Sequence, residues 1–332
     1  MKLKRPRVAY FTRDVKLKHP DIETHVIFSF LFASARKGIL CRMFHLKGNW
    51  LKHPQSPVIG GAYGTCFDIS VRRENNAFTM WLSWRPKASL ARLTSADGIT
   101  WDGPPHIILG PRPETGWEND INRPSVLFHD GLYHLWYTGQ NATHSAIGYA
   151  TSPDGLTWTR RSDTPVLKPE AAWEKSAVMC PHVIWDDAQK HFKMWYSAGG
   201  HYEPDALGYA TSPDGFAWEK HPAPVLLPDP SNPWEQHKVA GAQVIPHNGG
   251  YLMFYIGFEN EDHAQIGMAR SRDGFAWERC AENPIIPSGP TDAWDADACY
   301  KPYALFDGPA GYQFGKNERA ARDGCPLLHN YL

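Results

Sequence analysis

The sequence predicts an all-β fold, a five-bladed β-propeller with four-stranded antiparallel blades around a central funnel. Three recurring features predict it. The phrase Ser-x-Asp-Gly-x-x-Trp occurs four times, at Ser95–Trp101, Ser152–Trp158, Ser212–Trp218 and Ser271–Trp277, at intervals of 57, 60 and 59 residues. A Trp-acid pair recurs at Trp117-Glu118, Trp173-Glu174, Trp234-Glu235 and Trp294-Asp295, and an aromatic strand recurs at Leu135-Trp136-Tyr137, Met194-Trp195-Tyr196 and Met253-Phe254-Tyr255. A fixed period means stacked copies of one supersecondary unit, and four short strands in about 55–60 residues make a propeller blade.

The elements follow in order. Residues 1–45 carry none of the landmarks and read as an amino-terminal extension or a ring-closing segment; the propeller repeats span 46–308. Trp50–Ile59 parallels Trp218–Leu227 and Trp277–Ile286, which brings the number of units to five. Within one unit, Pro124–Phe128, Leu132–Thr138, Ala146–Thr151 and Thr157–Arg161 read as strands, with Asp-Gly turns at Asp130-Gly131 and Asp154-Gly155. Alternating apolar residues bounded by such turns signal antiparallel hairpins. The fifth unit begins at Tyr300–Phe306, but residues 309–332 lose the aromatic hairpin and read as a divergent tail that completes or replaces the rest of that blade. Because the Ser-x-Asp-Gly-x-x-Trp phrase occurs in four units, it reads as architecture: the Asp shapes a turn through bonds to backbone, and the Trp packs between blades.

Composition narrows the function. Lys and Arg number 34 against 35 Asp and Glu, so no basic face points to nucleic acid. No apolar run approaches the roughly 18 residues of a membrane span. Six scattered cysteines without a CxxC pair read as reduced thiols. Val26–Phe32 followed by Ala33-Ser34-Ala35 resembles a signal-peptide cleavage site, but the run is short and Asp21 and Glu23 precede it where basic residues are wanted. The expectation is a cytoplasmic monomer rather than a secreted or periplasmic protein.

Chemistry is sought where the units differ. Aligning the first strands by their spacing to the aromatic strand puts Asp68, Arg123, Cys180, Gly241 and Lys301 at one ring position. An acid and two cations at equivalent sites are not a packing requirement. The approaches to these strands add Asp120, Asn122, His237, Lys238 and Asp297, and His182 follows Pro181 in the third unit. The loops between second and third strands add Arg85-Pro86-Lys87, Gln140-Asn141, His201-Tyr202-Glu203 and Glu259-Asn260-Glu261. Together they predict a funnel of carboxylates, cations and imidazoles, with Trp84 and Tyr202 as stacking faces.

Such a funnel suits cleavage of a glycosidic bond, which needs two carboxyl groups flanking the scissile bond. Asp68 is the first, an acid in an otherwise apolar strand that is costly unless it faces water or a partner. Holding the ring together by pairing with Arg123 or Lys301 is its alternative role. Asp120 is the second carboxylate, and Glu203, on a loop tip, is the candidate proton donor. Arg123, Asn122, His182, His237, Lys238, Asp297 and Lys301 are candidate contacts to sugar hydroxyls, and a nearby cation also favours an ionised carboxylate. No cofactor is required. A structural calcium in the channel is compatible with the sequence, although no ligand spacing demands one.

Residues 46–308 resemble the five-bladed propeller glycosidases, the group that holds glycoside hydrolase families 43, 32 and 62 with the family 130 mannoside phosphorylases close by. The resemblance rests on Ile147-Gly-Tyr-Ala-Thr-Ser-Pro-Asp-Gly155 with its copies, and on inner strands of the form Pro-Ser-Val-Leu-Phe-x-Asp-Gly-x-Tyr. It implies a xylosidase- or arabinofuranosidase-like hydrolase acting on an oligosaccharide, with Asp68 at the position of the family 43 catalytic base. Two departures stand out. Arg123 occupies the place of the family's second Asp, and Met179-Cys180-Pro181-His182 lacks the Glu of the family's acid motif. The alternatives are a family 130-like phosphorylase, whose phosphate would be met by Arg123, Lys301, Lys238, His182 and His237, and a propeller that binds glycan without cleaving it.

Overall fold

The computed structural model describes residues 58–59, 63–201, 204–293 and 295–305, together with strand backbone at 8–12, 51–53, 203, 306–307, 310–318 and 327–331. Two short strands come first, β1 (Val8–Thr12) and β2 (Leu51–His53). A four-stranded antiparallel sheet follows, comprising β3 (Cys66–Glu74), β4 (Ala77–Trp84), β5 (Ser89–Ser95) and β6 (Asp102–Leu109). The next set is β7 (Asp120–His129), β8 (Leu132–Gln140), β9 (Ser145–Ser152) and β10 (Thr159–Arg160). It is followed by β11 (Ala177–Asp186), β12 (His191–Gly200), β13 (Glu203–Ser212) and β14 (Glu219–Lys220). A fourth comprises β15 (Lys238–His247), β16 (Gly250–Phe258), β17 (Ala264–Ser271) and β18 (Glu278–Arg279). Last come β19 (Cys299–Asp307), β20 (Ala310–Glu318) and β21 (Leu327–Tyr331). These join β1 and β2 in one sheet, with β20 pairing antiparallel to β19.

The fold is all-β, built of repeated antiparallel sheets, and the four strands expected in the second repeat appear as β7 to β10 within a few residues of their expected ends. The divergent tail was expected to complete or replace the rest of the fifth unit, and within it β20 runs antiparallel to β19 from Cys299↔Asn317 to Asp307↔Ala310. The sequence signal was faint because only Tyr312 and Phe314 stand where the other units carry a full aromatic triplet.

The recurring phrase is indeed architectural. In each copy the Ser hydroxyl accepts the Gly N–H at 2.8 Å, and the Asp carboxylate accepts the two N–H groups beyond the Gly, as in Asp154 with Leu156 and Thr157, each at 2.8 Å. The Gly is left-handed, and at Gly215 a Cβ would stand 2.8 Å from the Trp136 ring. The Gly carbonyl is then shared. Trp136 of β8 and Trp218 of the next unit both donate their indole N–H to the Gly215 carbonyl, at 2.8 and 3.0 Å. Trp195 and Trp277 do the same at Gly274, and Trp81 and Trp158 at Gly155. Each turn thereby fastens one unit to its neighbour through two buried or half-buried aromatic rings, which satisfies donors that would otherwise be costly to bury.

The Trp-acid pairs form a second internal frame. Glu118, Glu174 and Glu235 are fully buried. Each accepts a bond from the tyrosine of its own second strand (Tyr137, Tyr196, Tyr255) and pairs with a cation from the fourth (Arg160, Lys220, Arg279). Burial pushes the Glu118 carboxyl up. At Glu174 burial acts the same way, but Lys220 and the backbone N–H groups of Glu170 and Ala171 outweigh it and hold the carboxyl below its ordinary value.

The first strands of the five sets, β3, β7, β11, β15 and β19, pack against one another in chain order, and β19 also packs against β3. Side chains two residues beyond the ring position lock them together. Ser70 accepts the Val126 N–H and Ser125 the Val183 N–H, both at 3.0 Å. His182 bonds the Val244 carbonyl at 2.7 Å, Gln243 bonds both backbone groups of Ala304, and Ser70 Oγ lies 3.4 Å from the Tyr303 hydroxyl.

Candidate functional site

Each of these first strands carries a register shift at the ring position, between Phe67 and Ser70, Asn122 and Ser125, Met179 and His182, Ala240 and Gln243, and Tyr300 and Tyr303. The residues at the shifts are left-handed: Asp68 (φ 47°), Arg123 (57°), Cys180 (52°), Gly241 (61°) and Lys301 (47°). For the four that are not glycine this conformation costs roughly 1 kcal/mol or more each. Strain repeated at equivalent positions needs a restraint, and the preceding sheet supplies one. Arg123 N–H donates to Ser83 Oγ at 2.7 Å, Cys180 N–H to Thr138 Oγ1 at 3.0 Å and Gly241 N–H to Ser197 Oγ at 2.8 Å. In the fourth sheet the equivalent residue is Ile256, whose Cδ1 would lie 2.6 Å from a Cβ on Gly241.

The bulges bring Asp68 and Arg123 together, Nε to Oδ2 at 3.4 Å, with side chains only 6% and 16% exposed. Arg123 Nη1 also donates to Asn122 Oδ1 at 2.6 Å and to Gln140 Oε1 at 3.3 Å. Gln140 Oε1 accepts in addition from Asn122 Nδ2 at 2.6 Å, and Gln140 Nε2 donates to Ser145 Oγ at 2.9 Å. Asp120 opens the same strand opposite Gln140. Burial raises the Asp120 carboxyl above the ordinary aspartate value, and Arg123, Arg85 and a bond from Asn122 oppose but do not cancel it. His201 lies within the field of Arg123 and His144, and burial together with these two neighbours lowers its tendency to protonate. A carboxylate ion-paired to a cation and a second carboxyl biased toward its protonated form therefore share Arg123 as neighbour.

The other expected residues have surroundings of their own. His182, a candidate hydroxyl contact that could equally be a satisfied neutral ring, has its Nε2 bound to the Val244 carbonyl between β11 and β15, because two residues past a bulge the side chain faces the next first strand. Burial, opposed by that bond and aided by Lys301, pushes its imidazole down to about 3. Its stability contribution is therefore complete above the ordinary histidine value and is lost as pH falls from about 6.5 toward 3, at about 1.4 kcal/mol per pH unit. His182→Gln, which can keep a bond to Val244, is expected to flatten chemical-denaturation stability over that range; an unchanged slope would show that other groups set it.

Lys301 is buried beside His182. Lys238 is buried with its ammonium over the Phe258 ring at 4.7 Å. His237 is exposed and Asp297 half-buried at the approaches to β15 and β19. Trp84, expected as a stacking face, packs on the first core cluster and donates its indole N–H to the Tyr63 carbonyl at 2.8 Å. Glu203 was expected on a loop tip; it opens β13, paired with Gly200 across a tight hairpin, and its side chain, like all of Tyr202, lies outside the described residues. Gln140 was among the loop residues the sequence pointed to, whereas Ser83 gave little signal, a serine two residues after a tryptophan being common. Among the described residues no cluster of three His, Cys, Asp or Glu could hold a metal ion, and no helix is long and apolar enough to cross a membrane.

A family-43 glycoside hydrolase described as thermostable superposes with a TM-score of 0.61 at 17% identity, covering 80% of this chain and 88% of that one. The fold is that of the β-propeller glycosidases. The same propeller architecture occurs in an N-acetylgalactosamine deacetylase from F. plautii in complex with blood group B trisaccharide, with a TM-score of 0.60 at 14% identity over 76% of this chain and 80% of that one. A shared fold therefore does not choose the reaction. In sequence, the chain is similar to a 1,2-β-oligomannan phosphorylase of Thermoanaerobacter sp. (strain X514), 34% identical over 174 residues, which are 48% of this chain and 58% of that protein. It is also similar to a β-1,2-mannobiose phosphorylase of the same organism, 31% identical over 119 residues, or 31% and 38% of the two chains. The chain thus matches less than two thirds of the length of either relative. No family model matches it.

Proposed function

We propose that the five sheets are the blades of a closed propeller and that the ring of bulges floors a funnel in which a glycosidic bond of an oligosaccharide is cleaved. The observation that carries this reading is the pairing of two unlike carboxyls around one cation. Asp68, ion-paired to Arg123, is the base that activates the attacking water, and Asp120, biased by burial toward its neutral form, donates the proton to the leaving oxygen. Arg123 holds Asp68 in place, and Arg85 and His201 lie where they can meet sugar hydroxyls.

A second reading replaces water by inorganic phosphate. It is favoured by the phosphorylases among the similar sequences and by two cations, Arg85 and Arg123, acting on the Asp120 carboxyl. Phosphate is itself the nucleophile, so this reading needs Asp120 but not Asp68 as a reacting group. The two separate cleanly on a panel of aryl glycosides and oligosaccharides, β-1,2-mannosides included, assayed with and without phosphate. Free sugar formed without phosphate and reduced at least about a hundredfold in Asp68→Asn supports hydrolysis. Sugar phosphate formed only when phosphate is present overturns it for phosphorolysis, and absence of any turnover across the panel rejects both.

A further inference from the structure

We propose that Ser83 and Gln140 are positioning residues that hold Arg123 against Asp68, one gripping its backbone and the other its guanidinium. Neither is exposed enough to meet a substrate, at 1% and 2% respectively. Ser83, near the end of β4, accepts the Arg123 N–H from the neighbouring sheet at 2.7 Å and fixes the left-handed bulge. Without that acceptor a buried backbone donor loses its bond, and the strand gains by relaxing toward an extended conformation that turns the side chain to another face. Gln140 acts on the other end. Its Oε1 receives both Arg123 Nη1 and Asn122 Nδ2, and its Nε2 is anchored on Ser145, so the amide cannot flip without losing bonds. With Nη1 tied on that side, the guanidinium stays beside the Asp68 carboxylate, Nε 3.4 Å from Oδ2.

The neighbouring sheet contains a natural control. Thr138 makes the same hydroxyl bond to the bulge at Cys180, so loss of that bond removes an equivalent restraint at a ring position without a charged group. It also shows that threonine fills the role, so Ser83→Thr is the conservative variant.

The kinetic arm of the test rests on the proposed function, whereas the spectroscopic arm does not. The Arg123 Nε–H resonance, identified by its disappearance in Arg123→Lys, reports the ion pair directly. In Ser83→Ala and Gln140→Ala it is expected to shift and exchange faster. Where turnover is measured, kcat falls about tenfold with KM within about twofold, and the pH profile moves. Ser83→Thr restores all three. Thr138→Val lowers the unfolding temperature as Ser83→Ala does, yet leaves resonance, kcat and pH profile as in the wild type. The proposal is overturned if Thr138→Val reproduces the changes of Ser83→Ala, or if Ser83→Ala leaves the resonance and profile untouched. If the wild type cleaves nothing, the functional reading falls, and the resonance alone decides the positioning role.

Discussion

Asp120→Asn is expected to lower kcat by about 10²–10⁴-fold on substrates with poor leaving groups and at the same time to raise the unfolding temperature. Both effects have one cause. The carboxyl is half-buried, and burial raises its pKa above the unfolded value despite Arg123 and Arg85. A folded state that binds the proton more tightly than the unfolded one is favoured at low pH. That advantage fades as pH rises through the folded pKa, so at neutral pH the ionised carboxylate burdens the fold. An amide removes the burden and also the transferable proton. Aryl glycosides with acidic leaving groups need no proton and should lose far less. The high-pH limb of the wild-type profile, which reports the acid, should disappear in the variant. Loss of equal size on all leaving groups would show that Asp120 binds the sugar instead of protonating it.

Glu174→Ala is expected to cost about 3–5 kcal/mol of stability, the usual penalty for removing one partner of a buried ion pair. The substitution leaves the Tyr196 hydroxyl, the Lys220 ammonium and the backbone N–H groups of Glu170 and Ala171 without their common acceptor. The equivalent Glu118 provides a contrast. There burial wins and raises the carboxyl, whereas at Glu174 the donors win and lower it. Neutral replacement should therefore be milder at the first site: Glu118→Gln is expected to lose clearly less than Glu174→Gln in equilibrium denaturation near neutral pH. As pH falls below the ordinary glutamate range, the Glu174 contribution should be lost first, because its stabilisation exists only while the group is ionised. Equal losses in both variants would show that the tyrosine bonds, not the charges, dominate these clusters.

The repeat made the strands legible because its signals are local. Gly at the turn is required by backbone sterics, and Asp and Ser two residues apart can bond only nearby backbone, so Ser152–Trp158 announces its own conformation. The ring position was legible too, through alignment of unlike residues at Asp68, Arg123 and Lys301. What made that position special was not. The left-handed Arg123 and Cys180 carry no sequence mark, since their restraint lies in Ser83 and Thr138, each on a different strand some 40 residues earlier. Glu203 closes a tight hairpin, with only two residues between it and Gly200, and that length depends on strand pairing rather than on composition.

The shared bulge has a consequence for how such a site can change. At Arg123, Cys180 and Gly241 the left-handed backbone is held from behind, by a hydroxyl of the preceding sheet, and at Arg123 and Cys180 the same hold presents two quite different side chains. Five sockets of one geometry hold an acid, a guanidinium, a thiol, a hydrogen atom and an ammonium. A single substitution at an open socket can therefore change the group presented: Cys180→Asp or Cys180→Glu would install a new carboxylate without rebuilding a loop, whereas Ile256 closes the Gly241 socket to a side chain.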